Sequence, residues 1–165
     1  MSVYKFSDCD CEFPILGDGK IEFIPKFENV RLDCPKTWKL LQSGNVRGCF
    51  QIESQLGRSL IKKLVPENID HLAALMSIMR PGALEVVIDG KTVTQHYIDR
   101  KNGKEDITYY HPALEPILNK TYGVLCFQEQ ILNIAKDIAG YSLIEADILR
   151  KSVGKKNKIR KLRIS

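Results

Sequence analysis

Thr121-Tyr122-Gly123-Val124-Leu125-Cys126-Phe127-Gln128-Glu129-Gln130 opens a run, continuing to Lys156, whose pattern decides the fold. Phe127, Ile131, Ile134, Ala135 and Ile138 recur at helical spacing, while Gln128, Glu129, Gln130, Asn133, Lys136 and Asp137 take the remaining surface. The spacing predicts an amphipathic helix with one packed face and one wet face. After Gly140-Tyr141, Ser142 stands three residues before Glu145, the arrangement that starts a new helix by satisfying its first free N–H groups. That second helix carries Ala146-Asp147-Ile148-Leu149-Arg150-Lys151 and ends in cations near Gly154-Lys155-Lys156. Asp147 is a lone acid among those cations, and a local salt bridge is its expected use.

Working outward, the rest of the chain reads as mostly helix with short extended connectors. Residues 35–43 begin with Pro35 at a first-turn position, put Trp38 and Leu41 on one side and stop before Gly44. Gly48 to Ile52 leans toward β structure. Residues 53–64 place Leu56, Leu60, Ile61 and Leu64 on one face, and residues 66–79 begin with Pro66 and bury Ile69, Leu72, Ala73, Met76 and Met79 before Pro81. Val86, Val87 and Ile88 lead to Asp89-Gly90, a hairpin signal. Helical spacing returns over 92–101, breaks at Asn102-Gly103 and resumes from His111-Pro112 to Asn119.

The order of the chain's motifs resembles the fingers domain of the bacterial replicative DNA polymerase III alpha subunit, the C-family polymerases. Gly48-Cys49-Phe50-Gln51-Ile52-Glu53-Ser54 is similar to that family's GVFQLES segment, and Leu75 to Gly82 to its ALxRPG segment. Tyr97 to Gly103 resembles YIxRKxG, Tyr110 to Leu114 resembles YHPxL, and Thr121 to Gln130 resembles TYGVxxYQEQ. The resemblance covers about residues 32–156 in the family's own order. It implies a helical fingers-type domain there, preceded by a cysteine-containing lead-in segment at 1–31 and followed by a basic tail at 157–165.

Composition agrees with this reading without producing it. A chain of 165 residues with 44% hydrophobic content can close one ordinary core, and a single unit is expected. No apolar run approaches the roughly 18–20 residues of a membrane span, and Met1 to Asp8 lack the basic flank and apolar core of a signal peptide, so a cytoplasmic protein away from membranes is expected. Five cysteines, at 9, 11, 34, 49 and 126, suit reduced thiols better than a disulfide framework. Cys9 and Cys11 lack the spacing and the second ligand pair of a zinc site. His71 falls on an apolar helix, where a structural role is expected; the sequence offers no Ser-His-Asp or Cys-His constellation.

Charge is concentrated at one end. The net charge is +5, yet Arg150 to Ser165 holds eight Lys or Arg residues and no acid, leaving seventeen cations against twenty acids, a balance of −3, in residues 1–149. Such a block attracts phosphate backbones through counterion release, or stands as a solvated end. The family resemblance sharpens Arg150 and Lys151: members carry a basic pair after the alanine-aspartate-hydrophobic-hydrophobic run, which implies a contact with the triphosphate of the incoming deoxynucleotide. Here the second cation is lysine, which neutralises phosphate but lacks the planar fork of arginine. Lys155 and Lys156 match the family's GKK and extend the same cationic wall. Arg80, before Pro81-Gly82, has two readings: a last-turn cation complementing the helix dipole, or a contact with template phosphate or nucleotide.

Phosphoryl transfer needs clustered carboxylates to hold two metal ions, and Glu129 alone does not supply them. In the family those aspartates belong to the palm, which precedes the fingers. The expectation is therefore a piece of a polymerase that has no catalytic or metal-ligating residue of its own and binds no cofactor. Mg2+ would sit at a palm supplied elsewhere, and the partners would be DNA template-primer, deoxynucleoside triphosphate and the palm and thumb, in cis or in trans. Two other readings stand beside it, a non-catalytic nucleic-acid-binding module and a structural docking domain of a larger complex.

Overall fold

The computed structural model describes residues 3–5, 12–14 and 32–154. Among these residues helices dominate, with two antiparallel two-stranded ribbons, as the mostly helical reading expects. The chain divides into two compact units, Met1–Met76 and Ser77–Ser165. The division falls inside one helix.

In the first unit, β1 (Val3–Lys5) pairs with β2 (Glu12–Pro14). Helix α1 (Pro35–Gln42) starts with Pro35, whose missing N–H costs nothing in the first turn, and buries Trp38 and Leu41. The indole of Trp38 donates to the Leu32 carbonyl at 2.9 Å, and Gln42 donates to the Pro66 carbonyl at 2.8 Å. Between helices, residues 48–52 curl into turns rather than extending, contrary to the β-leaning reading. Gly48 and Gln51 take left-handed φ of 82° and 63°, and the Glu53 carboxylate accepts from the Gly48 N–H at 3.0 Å. Helix α2 (Gln55–Leu64) is capped by Ser54, whose hydroxyl accepts from the Gly57 N–H. Leu60, Ile61 and Leu64 are buried as the spacing predicts, but Leu56 is exposed and Gly57 takes the inner position. A Cβ at Gly57 would stand 2.6 Å from the Ile52 backbone, so only glycine admits that close approach.

Helix α3 (Ile69–Ile78) begins later than expected, after Asn68 rather than at Pro66, with the Asn68 side chain accepting from the His71 N–H at 2.9 Å. Its buried residues are His71, Ala74, Leu75 and Ile78, not the face through Ile69, Leu72, Ala73, Met76 and Met79. Both faces of Ile69-Asp70-His71-Leu72-Ala73-Ala74-Leu75-Met76-Ser77-Ile78 are rich in apolar residues, and such a helix gives periodicity no stripe to single out.

In the second unit, Pro81 opens a helix instead of merely ending one: α4 spans Pro81–Glu85. The hairpin predicted at Asp89-Gly90 forms between β3 (Val87–Ile88) and β4 (Lys91–Thr92), with both turn residues at positive φ, 47° and 82°. Thr92 caps α5 (Val93–Lys101), and the Thr94 hydroxyl, close to the Ile78 and Ala83 carbonyls at 2.8 and 3.1 Å, anchors α5 to the segments on either side of Arg80. Two single 3-10 turns, Pro112–Leu114 and Asn119–Thr121, flank the short α6 (Glu115–Leu118). Helix α7 (Gln128–Asp137) packs against α8 (Leu143–Gly154), and their connection closes through Gly140, at φ 70°, donating to the Lys136 carbonyl. Ala135 on α7 and Ala146 on α8 are each at most 1% exposed, small residues that let helix backbones come close.

Candidate nucleotide and nucleic-acid interface

Helix α8 starts where the sequence places it. The Ser142 N–H and hydroxyl both donate to the Glu145 carboxylate, at 2.8 and 2.7 Å, and the Ser142 oxygen accepts from the Glu145 N–H at 3.4 Å. Those bonds, the side-chain one first, hold the Glu145 carboxyl below its usual range. This cap fixes the rotation of the helix and so the direction in which residues one to two turns later project.

Two turns on, Asp147 meets Arg150 and Lys151. Arg150 donates through Nε and Nη2 to Oδ1 of Asp147, at 2.9 and 2.8 Å, and Lys151 Nζ lies 2.7 Å from Oδ2. The expected local salt bridge is thus present, and it takes both cations at once. The hydrogen bonds from Lys151 and then Arg150 hold the Asp147 carboxyl below its ordinary range. A third contact crosses to the neighbouring helix: Arg150 Nη1 donates to the Gln128 side-chain oxygen at 2.8 Å. The Arg150 side chain is 26% exposed and that of Lys151 61%, so both heads remain open to solution.

Arg80 sits elsewhere. It occupies the residue before α4, exposed, and its carbonyl accepts from the Ala83 and Leu84 N–H groups. Helix α3 ends at Ile78, so Arg80 stands two residues beyond its last turn rather than within it. No hydrogen bond or ion pair joins Arg80 to the Asp147 cluster. Lys155, Lys156 and the basic tail at 157–165 lie outside the described residues, as do Cys9 and Cys11. Cys49 and Cys126 are free thiols, and burial pushes the Cys126 thiol up to about 12.

A second cluster of charge, which the sequence did not reveal, lies on α5 and the loop that follows it. Lys91 donates to Asp99 at 2.7 Å and to Glu105 at 3.0 Å. Arg100 Nε donates to Glu105 at 2.7 Å and Nη1 reaches the Tyr122 carbonyl at 3.3 Å, while both His96 ring nitrogens face acceptors, Glu105 at 2.7 Å and the Ile88 carbonyl at 2.8 Å. Arg100 therefore tethers α5 to the segment that follows it, through Glu105 and the Tyr122 carbonyl. Burial alone would raise the Glu105 carboxyl, but hydrogen bonds from Arg100, His96 and Lys91 outweigh it and bring it to about 2. His71 is buried, as a structural residue should be, with Nδ1 accepting from the Glu67 N–H at 3.3 Å.

Residues 20–164 match the family described as the bacterial DNA polymerase III alpha subunit finger domain. The chain belongs to that family. Over 130 residues it is 43% identical to the DNA polymerase III subunit alpha of Aquifex aeolicus (strain VF5), a match covering 79% of this chain and 11% of that protein. The same identity holds over 131 residues with the DNA polymerase III subunit alpha of Staphylococcus epidermidis (strain ATCC 12228 / FDA PCI 1200) and of Staphylococcus aureus (strain N315), 79% of this chain and 12% of each relative. The chain thus spans about an eighth or less of the length of the relatives it matches, and the finger-domain match takes in Arg80 and the whole Asp147–Arg150–Lys151 cluster. Among the described residues no helix is long and apolar enough to cross a membrane.

Proposed function

We propose that this chain is the part of a replicative DNA polymerase that positions the incoming deoxynucleoside triphosphate and the template, with Arg150 and Lys151 facing the triphosphate. The observation that carries the proposal is the finger-domain match, which includes a helix presenting these two cations side by side. Phosphoryl transfer makes little covalent demand on a protein; it rewards cations fixed in place where negative charge must be balanced. Lys155, Lys156 and Arg80 extend the same role to neighbouring phosphates, and the template-primer and the remaining polymerase domains, palm and thumb, complete the machinery. A cytoplasmic location goes with that reading.

Magnesium chemistry belongs to carboxylates elsewhere in such a polymerase. Among the described residues no three His, Cys, Asp or Glu side chains converge as a metal site requires, and the acids that do come together, Asp99 and Glu105, are tied to Lys91, His96 and Arg100. That donor set does not fit a divalent ion, so the chain alone is expected to add no nucleotide to a primer. Replacing Arg150 and Lys151 together by alanine should weaken dATP and primer-template binding about tenfold. It should also flatten the salt dependence of DNA binding by about 0.7–0.9 per lost phosphate contact, with the helical circular dichroism unchanged. Unaltered affinity and slope would overturn the assignment, and primer extension by the purified chain with magnesium would overturn its dependence on another domain.

A further inference from the structure

The cluster around Arg150 contains an acid in a place where phosphate binding alone would disfavour one. Asp147 lowers the local charge of the Arg150–Lys151 pair from +2 to +1, and on Coulombic grounds a phosphate would be held better without it. Its geometry points to another use. One carboxylate oxygen accepts two N–H groups of Arg150 and the other takes Lys151, so a single side chain sets the spacing of both cations. Gln128, on the adjacent helix, accepts from the remaining guanidinium nitrogen at 2.8 Å. Arginine has five N–H donors; the bonds to Nε, Nη1 and Nη2 engage one on each nitrogen and leave one on each terminal nitrogen for a ligand.

We infer that Asp147 and Gln128 are positioning residues, holding Arg150 and Lys151 at fixed separation so that two N–H groups of Arg150 and the Lys151 ammonium meet the phosphates of a polyphosphate chain together. This inference rests on the phosphate-binding role proposed above. It explains how a flexible lysine serves beside an arginine: Asp147 restricts the ammonium that would otherwise wander on its four-carbon stem. The free energy of ordering both side chains is met in the unliganded protein rather than at binding, which is how preorganisation raises affinity.

The two roles open to Asp147 predict opposite signs. Binding of inorganic tripolyphosphate and of dATP to the 165-residue chain is measured by titration calorimetry for Asp147→Asn, Gln128→Ala, Arg150→Ala, Gln128→Ala with Arg150→Ala, and Arg150→Ala with Lys151→Ala. Asp147→Asn adds one positive charge to the chain, yet its affinity for both probes is expected to fall about fivefold or more, because the second oxygen that holds Lys151 is lost. Gln128→Ala is expected to weaken binding in the parent chain and to have no further effect once Arg150 is alanine, a coupling that a merely structural glutamine would not show. Unchanged or tighter binding by Asp147→Asn, with the Arg150–Lys151 double variant still weakened, would make Asp147 only a counter-charge, overturning the inference while leaving the phosphate-binding role in place. Failure of that double variant to weaken binding would overturn both. Should Asp147→Asn lose its helical signal, the Gln128–Arg150 cycle decides, and additive effects there count against the inference.

Discussion

At the scale of single residues, the chain relies on a few polar side chains that each do several structural jobs. Gln130 is the leading case. Spacing assigns it to the wet face of α7, yet it is only 6% exposed. Its oxygen accepts from the Cys126 and Phe127 N–H groups, each at 2.9 Å, and its nitrogen donates to the Thr121 hydroxyl at 2.7 Å and the Ile117 carbonyl at 3.3 Å. The helix entrance and the preceding turn thus share one amide. Gln130→Ala would leave the Cys126 and Phe127 N–H groups at the helix entrance without their acceptor in a part-buried setting and would leave the Thr121 hydroxyl only its bond to the Leu118 carbonyl, and a loss of about 2–3 kcal/mol is expected. Thermal unfolding checks this: a fall in Tm of about 5 °C or more is expected, and one within about 1 °C would mean that water replaces the amide at no cost. The helical period sorts residues by face but cannot show that a polar side chain will fold back onto the backbone. Only the glutamine three residues into the helix, at the position where a Glu or Gln completes a capping box, gave a hint of it.

Between elements, what could be read from the sequence was what is local. The Asp89-Gly90 hairpin, the Ser142–Glu145 cap and the buried pair Trp38 and Leu41 depend on neighbours within a few residues, and all three form. The inner face of α3 and the Gln128–Arg150 bond do not; the latter joins residues 22 apart, and no spacing rule reaches that far. The same limit hid the node at Glu105, which ties β4, α5 and the following loop through Lys91, His96 and Arg100. That node makes a pH-dependent contribution. Glu105 is brought down to about 2 from 4.5, so its stabilisation is fully present above the unfolded value and is lost as pH falls through that window toward about 2. Asp99, held low chiefly by its hydrogen bond from Lys91, acts in the same direction. Tm measured from neutral pH down to about pH 3 should therefore fall, and Glu105→Gln should both lower the neutral value and make the acid decline shallower. An identical acid slope in that variant would mean that other carboxylates carry the decline.

For the whole molecule, the governing feature is the separation of charge along the chain and the two kinds of phosphate binding it allows. Residues 1–149 carry a balance of −3 and the last sixteen carry +8, so on the proposed reading non-specific attraction to DNA belongs to one end. Arg150 and Lys151 share that end, and each is held by Asp147. A run of cations neutralises phosphate with an energy set by how many counterions it releases, whereas on the proposed reading a fixed pair recognises a compact polyphosphate by geometry. Removing residues 157–165 deletes Lys158, Arg160, Lys161 and Arg163 and takes the net charge from +5 to +1. DNA affinity is then expected to fall at low salt, with its salt slope reduced by about 0.7–0.9 for each of those cations that meets a phosphate. Affinity for dATP is expected to stay within about twofold if, as proposed, that ligand's phosphates answer to the Arg150–Lys151 pair. A parallel loss for both ligands would place triphosphate binding in the tail and remove the proposed division of labour between the Arg150–Lys151 pair and residues 157–165.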